Sequence, residues 1–297
     1  MPSLKISLCQ FRIRDIASVD EWVRNVRAQA LLAAESQPDL IVFPEYVTFG
    51  LMSLAGAFSS KDRGVVTRKH LGEFTPMYQA LFSELAGTCN CLIAGGSHWT
   101  PSRTPGHGHN TAYLFHPDGG ISRQPKNHLY PNEATFGTEP FDGLSVIETP
   151  KARIGLMTCY DAEFPEVARH FMLNGAQVLI CPAATNTVRG FYRVRHCCAA
   201  RAVENQVFVA VCHAVGLLSV PTDAPFTGYG RSAILAPIDD QTQAIDGVMI
   251  EAADPDEETI VTGEINMELL EKSREASEAT ILKTRRPDLY REHYRLF

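Results

Sequence analysis

The stretch Arg-Ile-Gly-Leu-Met-Thr-Cys-Tyr-Asp-Ala-Glu-Phe-Pro-Glu, residues 153–166, decides how the chain is read. It opens as a short apolar run with strand character and ends on Cys159. A helical pattern then begins: in 164–176 Val167, Ala168, Phe171 and Met172 fall on one face. Gly175 suits the C-terminal cap of that helix. Outward from this stretch the same alternation recurs. Strands are expected at 5–9, 40–43, 91–95, 112–115, 153–157, 178–181, 207–212 and 232–235. Between the first two, Trp22, Val23, Val26, Ala30 and Leu31 keep near-helical spacing. Strands alternating with helices imply an α/β sandwich.

The alternation is also duplicated. KISLCQF (5–11) matches RIGLMTC (153–159), and DLIVFPE (39–45) matches QVLICPA (177–183). CLIAGG (91–96) matches VFVAVC (207–212), and AYLFHPDGG (112–120) matches SAILAPIDD (232–240). Short aliphatic strands look alike, but four matches in one order favour two pseudo-equivalent halves. Proline follows the second strand in both, at Pro44 and Pro182, where it cannot continue a ladder. No low-complexity linker divides the chain, so 1–297 is expected to be one domain, with its core over about 3–265. The Gly/Pro-rich stretch 99–110 is expected as an exposed loop and 251–258 as a solvated acidic turn. Residues 266–279 are expected to form a surface helix, followed by a basic, aromatic tail that could pack on a partner subunit.

The 297 residues carry a net charge of −7 and are 45% hydrophobic and 21% charged, an ordinary globular balance. The acidic sign argues against a nucleic-acid partner. No run approaches ~18 apolar residues, so no membrane span is expected. The first residues lack the apolar segment of a secretory signal. Eight cysteines, several inside apolar runs, read as reduced thiols, and a cytoplasmic location is expected.

Three segments place a reactive side chain just past a strand, where open α/β folds collect their sites. Glu45 and Tyr46 end LIVFPEY, and a carboxylate at the edge of the core becomes a better base as desolvation raises its pKa. Lys126, His128 and Glu133 lie in RQPKNHLYPNE, where a fixed cation near Glu45 would stabilise developing negative charge. Cys159 sits on a strand-to-helix turn, where a helix N-terminus would favour the thiolate, although the adjacent carboxylates oppose it. Each segment alone has an ordinary reading: a strand-end acid, a surface lysine, a buried structural thiol.

Taken together, the segments resemble the nitrilase superfamily of carbon–nitrogen hydrolases. The matches are Phe43-Pro44-Glu45, Lys126-Asn127-His128-Leu129, and Cys159-Tyr160-Asp161 with Phe164-Pro165-Glu166. The resemblance covers about 3–265 and includes the 200–211 block. It implies a four-layer α-β-β-α sandwich, a homodimer or higher homo-oligomer, a small-molecule amide as substrate, and no metal or organic cofactor. It also implies a Glu45–Lys126–Cys159 triad, with Glu133 as the second glutamate that positions substrate and lysine. The segment 181–205 and the RRPDLY ending look closest to a bacterial branch often fused to an acetyltransferase domain. Tyr160-Asp161, where nitrilases carry Trp-Glu, looks like the amidase branches. Tyr46, Tyr160, Phe164 and Asn186 are the expected substrate contacts.

The mechanism so implied has Cys159 attacking an amide carbonyl with Glu45 as general base, Lys126 and the Tyr160 N–H holding the oxyanion, and a thioester intermediate. A nitrile or N-carbamoyl substrate and a catalytically silent scaffold are the alternatives. Carbamoyl-acid hydrolases usually place arginines near the cysteine, but none lies between 154 and 168, and Arg189 and Arg193, the nearest downstream, could instead pair structurally. A Cys-His pair, Cys159 with His128 or His196, would leave Glu45 and Lys126 unexplained. His107 and His109 in a Gly-rich loop are too few ligands for zinc.

Overall fold

The computed structural model describes residues 3–242 and 244–293. Its strands are β1 (Ser3–Gln10), β2 (Leu40–Val42), β3 (Leu92–Pro101), β4 (Gly108–Phe115), β5 (Ile121–Pro125), β6 (Ile147–Glu148) and β7 (Arg153–Leu156). They continue with β8 (Val178–Ala183), β9 (Phe208–His213), β10 (Gly216–Leu218), β11 (Phe226–Gly228), β12 (Ala233–Leu235), β13 (Val248–Glu251) and β14 (Thr259–Asn266). One six-stranded sheet is ordered β14-β1-β2-β3-β4-β5, the other β6-β7-β8-β9-β12-β13. In each sheet three parallel strands, β1-β2-β3 or β7-β8-β9, are flanked by antiparallel neighbours on both sides. The four sequence matches pair β1 with β7, β2 with β8, β3 with β9 and β4 with β12, so the duplication is a property of the fold.

Helices α1 (Val19–Ala34) and α2 (Thr75–Cys89) follow β1 and β2, and α3 (Pro165–Leu173) and α4 (Val188–Asn205) follow β7 and β8. The Ser18 side chain caps α1 by accepting from Glu21 N, and Thr187 caps α4 by accepting from Gly190 N at 2.9 Å. Alternation along the strands sends one set of side chains between the sheets: Leu4, Ile6, Leu8, Leu40 and Val42 meet Ile154, Leu156, Val178, Ile180 and Phe208. The other set packs outward under helices. Trp22, Val26, Tyr78 and Phe82 cover Cys9, Ile41 and Phe43, while Val167, Phe171 and Val194 cover Leu179, Cys181 and Val209. Three apolar layers thus hold four layers of structure, each fully buried aliphatic side chain contributing roughly 1.5–3 kcal/mol.

Three expectations change. The stretch 99–110 is not one exposed loop: β3 runs to Pro101, β4 starts at Gly108, and Trp99 and Asn110 are buried. The acidic segment is pinned from below, because Gln10 Nε2 donates to the carbonyls of Asp254 and Glu257, while Arg12 and Arg14 pair with Glu257 and Glu258. The helix expected on the surface, α5 (Met267–Ala276), buries Met267, Leu270 and Ser273. Of the tail, residues 294–297 lie outside the described residues.

Candidate active site

Glu45 is delivered by an interruption of the ladder. Strands β2 and β3 pair only through Leu40–Val42 and Leu92–Ala94, and β3 then bulges before Ser97. At the bulge Gly96 has φ +68°, and a Cβ there would stand 1.9 Å from the Pro44 carbonyl oxygen, an approach only glycine allows. The Ser97 N–H donates to that carbonyl at 3.3 Å, and the Ser97 hydroxyl accepts from the Tyr46 N–H at 3.0 Å. Tyr46 takes φ +51°, and Glu45 turns inward, 3% exposed.

Lys126 follows the end of β5, its N–H donating to the Asn110 carbonyl at 2.8 Å. Its buried Nζ donates to Glu45 Oε1 at 2.9 Å and to Glu133 Oε2 at 2.7 Å. Glu133 is tied further: Oε1 accepts from the Tyr46 hydroxyl at 2.8 Å and Asn110 Nδ2 at 2.9 Å, and Oε2 accepts from the Tyr130 N–H at 2.7 Å. Glu45 Oε1 also accepts from Asn110 Nδ2 at 2.9 Å, and Glu45 Oε2 accepts from the Ala184 N–H at 3.0 Å.

Cys159 lies three residues past the end of β7 with φ +46°, a left-handed conformation rare outside glycine that holds the thiol at a sharp elbow. It heads a 3₁₀ turn, Cys159–Glu163, and the α-helix starts only at Pro165. The thiol is therefore not at an α-helix N-terminus, and the expected stabilisation of the thiolate is not what the surroundings provide. Burial pushes the Cys159 thiol well above its ordinary range, Glu45 adds to the rise, and Lys126 with the Ala184 N–H only partly opposes it. The Cys159 side chain is thus held as a neutral thiol beside Glu45.

The two carboxylates diverge. Burial raises Glu45, Lys126 pulls it down, and Glu133 pushes it up again, for a net rise. Burial acts on Glu133 too, but the Lys126 charge and hydrogen bonds from Lys126, Asn110 and Tyr130 hold it below the ordinary range. Burial alone would lower Lys126, yet Glu133 and Glu45 hold it well above its usual value. Glu45 is thus the basic member, Glu133 the fixed anion and Lys126 the fixed cation.

The turn bearing Cys159 also grips the lysine loop. Asp161 Oδ1 accepts from the His128 N–H at 2.7 Å and lies 3.0 Å from His128 Nδ1, while Oδ2 accepts from the Asn127 N–H at 3.3 Å. Phe164 stacks on the His128 ring with centroids 3.8 Å apart. Phe164 is therefore a packing partner behind the site, not a lining residue as expected. Glu45, Lys126, Cys159, Glu133, Tyr46, Tyr160 and Asn186 all line one cavity of about 260 Å³. Neither His128 nor His196 lines it. His107 Nδ1 lies against the Pro105 carbonyl and His109 Nδ1 against that of Glu139.

A family model described as Carbon-nitrogen hydrolase matches residues 5–275. The chain belongs to the carbon–nitrogen hydrolase family. The probable hydrolase YhcX of Bacillus subtilis (strain 168) is 35% identical over 293 residues, 98% of this chain and 55% of that protein. The chain thus spans about half the length of that relative. Omega-amidase NIT2 of Homo sapiens is 31% identical over 299 residues, 98% of both chains. The solved carbon–nitrogen hydrolase of Helicobacter pylori G27 superposes with a TM-score of 0.81 at 24% identity, covering 98% of this chain and 97% of that one, a likeness of fold.

Within this hydrolase fold, sequence reasoning missed several residues. Asn110 joins both carboxylates but reads in the sequence as the polar end of a loop. Arg63 and Arg193 line the cavity, Arg63 with its guanidinium 5.5 Å from the Phe49 ring centroid and Arg193 paired with Glu163 at 2.7 Å. Arg63 comes from a segment whose local pattern says only helix or turn, whereas Arg193 is legible in the sequence as an arginine downstream of the cysteine. The Ala184 N–H carries no side-chain signal at all.

Proposed function

We propose that the chain hydrolyses the C–N bond of a small primary amide through a thioester on Cys159. One observation carries this reading: a buried Glu45–Lys126–Glu133 cluster opens beside a thiol into one cavity. Glu45 takes the thiol proton as Sγ bonds to the amide carbon, so no free thiolate is needed in the resting enzyme. The carbonyl oxygen gains the negative charge, which the Lys126 ammonium and the Tyr160 N–H stabilise. As the C–N bond breaks, protonated Glu45 returns the proton to nitrogen and ammonia leaves. Glu45 then deprotonates water, hydroxide adds to the thioester carbon, the C–S bond breaks and the thiol is restored. A base whose pKa is raised toward that of the thiol suits a proton carried both ways.

The cavity's size suits a short chain, and its guanidinium groups at Arg63 and Arg193 suit an anionic far end. The relatives named omega-amidases support an amide as the substrate. The Bacillus relative, of which this chain covers 55%, supports the kinship with a bacterial branch of longer proteins. Ammonia release from succinamate and from the equally long, uncharged butyramide tests both levels. Turnover is expected with succinamate preferred, and Cys159→Ala is expected to lose about 10⁴-fold or more. A Cys159→Ala enzyme that keeps a measurable share of the rate overturns the mechanism, while equal rates on the two amides overturn the anionic substrate alone.

A further inference from the structure

Among the described residues, Asn110 is the one uncharged side chain hydrogen-bonded to both carboxylates. We infer that Asn110 is a positioning residue that fixes which oxygen of Glu45 acts as the base and sets the pH at which it acts; the inference rests on the thiol mechanism above. Its Nδ2 has two hydrogens, and it lies 2.9 Å from Glu45 Oε1 and 2.9 Å from Glu133 Oε1. With Lys126 Nζ bridging Glu45 Oε1 and Glu133 Oε2, a closed ring of charge-assisted hydrogen bonds results. Asn110 is fully buried in β4, and its own carbonyl holds the Lys126 N–H, so one residue sets the backbone of the lysine and the side chains of both acids.

The ring saturates Glu45 Oε1 with two donors. Oε2 receives only the Ala184 N–H and keeps room for the thiol proton. The amide cannot turn over, because its oxygen would then face two carboxylate oxygens. That orientation holds although Asn110 Oδ1 is buried without a hydrogen-bond partner among the described residues. A buried orphan acceptor is unfavourable, and it persists here because the two donated bonds are worth more.

The residue type follows from the charge balance. Glu45, Glu133 and Lys126 in their ionised forms sum to one negative charge. A second cation at 110 would neutralise it and depress Glu45, making a poorer base. Serine or threonine would supply one hydrogen where two acceptors wait, and aspartate would add a third negative charge. An amide supplies two donors at no charge.

The test follows alkylation of Cys159 by iodoacetamide across pH, read by peptide mass, in wild type, Asn110→Ala, the isosteric Asn110→Asp, and Asn205→Ala as a buried asparagine remote from the site. Both Asn110 variants withdraw donors from Glu45, so the acid limb is expected to move to higher pH by about one unit, a tenfold lower rate at a fixed pH on that limb. Asn110→Asp should move it further, and carries the test should the alanine variant fail to fold. Asn205→Ala should lower stability and leave the limb where it is. An unmoved limb in a folded Asn110 variant, with wild-type Cys159 reactive, overturns the positioning role alone. A wild-type Cys159 that is unreactive at every pH overturns the thiol mechanism on which the inference stands.

Discussion

The two halves share strand order, strand direction and packing, yet only one breaks the ladder between its second and third strands. In the second half β8 and β9 pair without interruption from Val178–Phe208 to Ala183–His213, straight through Pro182. In the first half the equivalent pairing of β2 with β3 stops after three residues, and the chain turns Glu45 inward at the Gly96 bulge. Position for position, Glu45 corresponds to Ala183, Gly96 to Cys212, and Phe11 to Cys159. The scaffold is symmetric because aliphatic alternation specifies it twice, and the chemistry proposed above lies where that symmetry fails. One half supplies the acids, the lysine and the amide; the other supplies the thiol and the Ala184 N–H.

The comparison breaks most sharply at the Gly96 and Cys212 pair. Gly96→Ala puts a methyl group against the Pro44 carbonyl at a positive φ, so either the bulge or Glu45 must shift. A loss of about 3 kcal/mol in stability is expected. A fall in kcat beyond tenfold should accompany it, because a displaced base is a poor base. Cys212→Ala, at the equivalent position, removes thiol contacts to the Cys9 carbonyl at 3.1 Å, the Val42 carbonyl at 3.2 Å and the Ser232 hydroxyl at 3.9 Å. It should cost about 1 kcal/mol and leave kcat unchanged. Urea titration and amide turnover on both variants check this. Equal effects on kcat would mean that the ladder break does not position Glu45.

A smaller effect is expected where the halves meet. Asp161→Asn replaces one carboxylate oxygen with an NH₂ group, and whichever way it turns, a donor faces a donor on the 127–128 loop. Lys126 lies next in the chain, so kcat should fall roughly 10–100-fold with little change in KM, the signature of lost transition-state stabilisation. His128→Ala, which removes the ring but keeps the backbone bond, should lose less. A fall confined to KM would place Asp161 in substrate binding instead.

The sequence carried the duplicated strands and the order Glu45, Lys126, Cys159 because each is written in consecutive residues. Asn110 and Asp161 were not legible in the same way. Their roles exist only once β4 lies beside the end of β5 and the 159–163 turn reaches the 127–128 loop. The protonation of Cys159 was misread for a related reason: local pattern suggested a helix start, whereas the pKa depends on burial and on Glu45, which lies 114 positions earlier (159 − 45). The stretch 99–110 shows the same limit, since Gly and Pro signalled a loop while tertiary packing buried its two ends.

The smallest expected effect concerns two histidines near the ends of equivalent strands. His98 in β3 and His213 in β9 are fully buried, and burial pushes each down to about 3, with Arg195 adding to the fall at His213. Their surroundings differ. Thr75 donates its hydroxyl hydrogen to the Gly72 carbonyl, so it accepts from His98 Nε2–H at 2.8 Å, and Nδ1 accepts from the Thr48 hydroxyl at 3.0 Å. Neither ring nitrogen of His213 has a hydrogen-bond partner among the described residues. In the unfolded chain both rings titrate near 6.5, so the unfolded state binds more protons as pH falls below that value. Each histidine therefore contributes stability that is fully present above pH ~6.5 and is lost toward pH 3, at up to about 1.4 kcal/mol per pH unit. Substituting either with phenylalanine should flatten the acid slope by the same one proton. At pH 7 they should part: His98→Phe orphans the Thr48 hydroxyl, takes one of two bonds from the Thr75 hydroxyl and should cost about 2 kcal/mol, whereas His213→Phe removes two unpaired nitrogens and should stay within ~1 kcal/mol of wild type. Urea midpoints at pH 7 and pH 5 separate the two effects, and equal losses at pH 7 would show that the two rings are held alike.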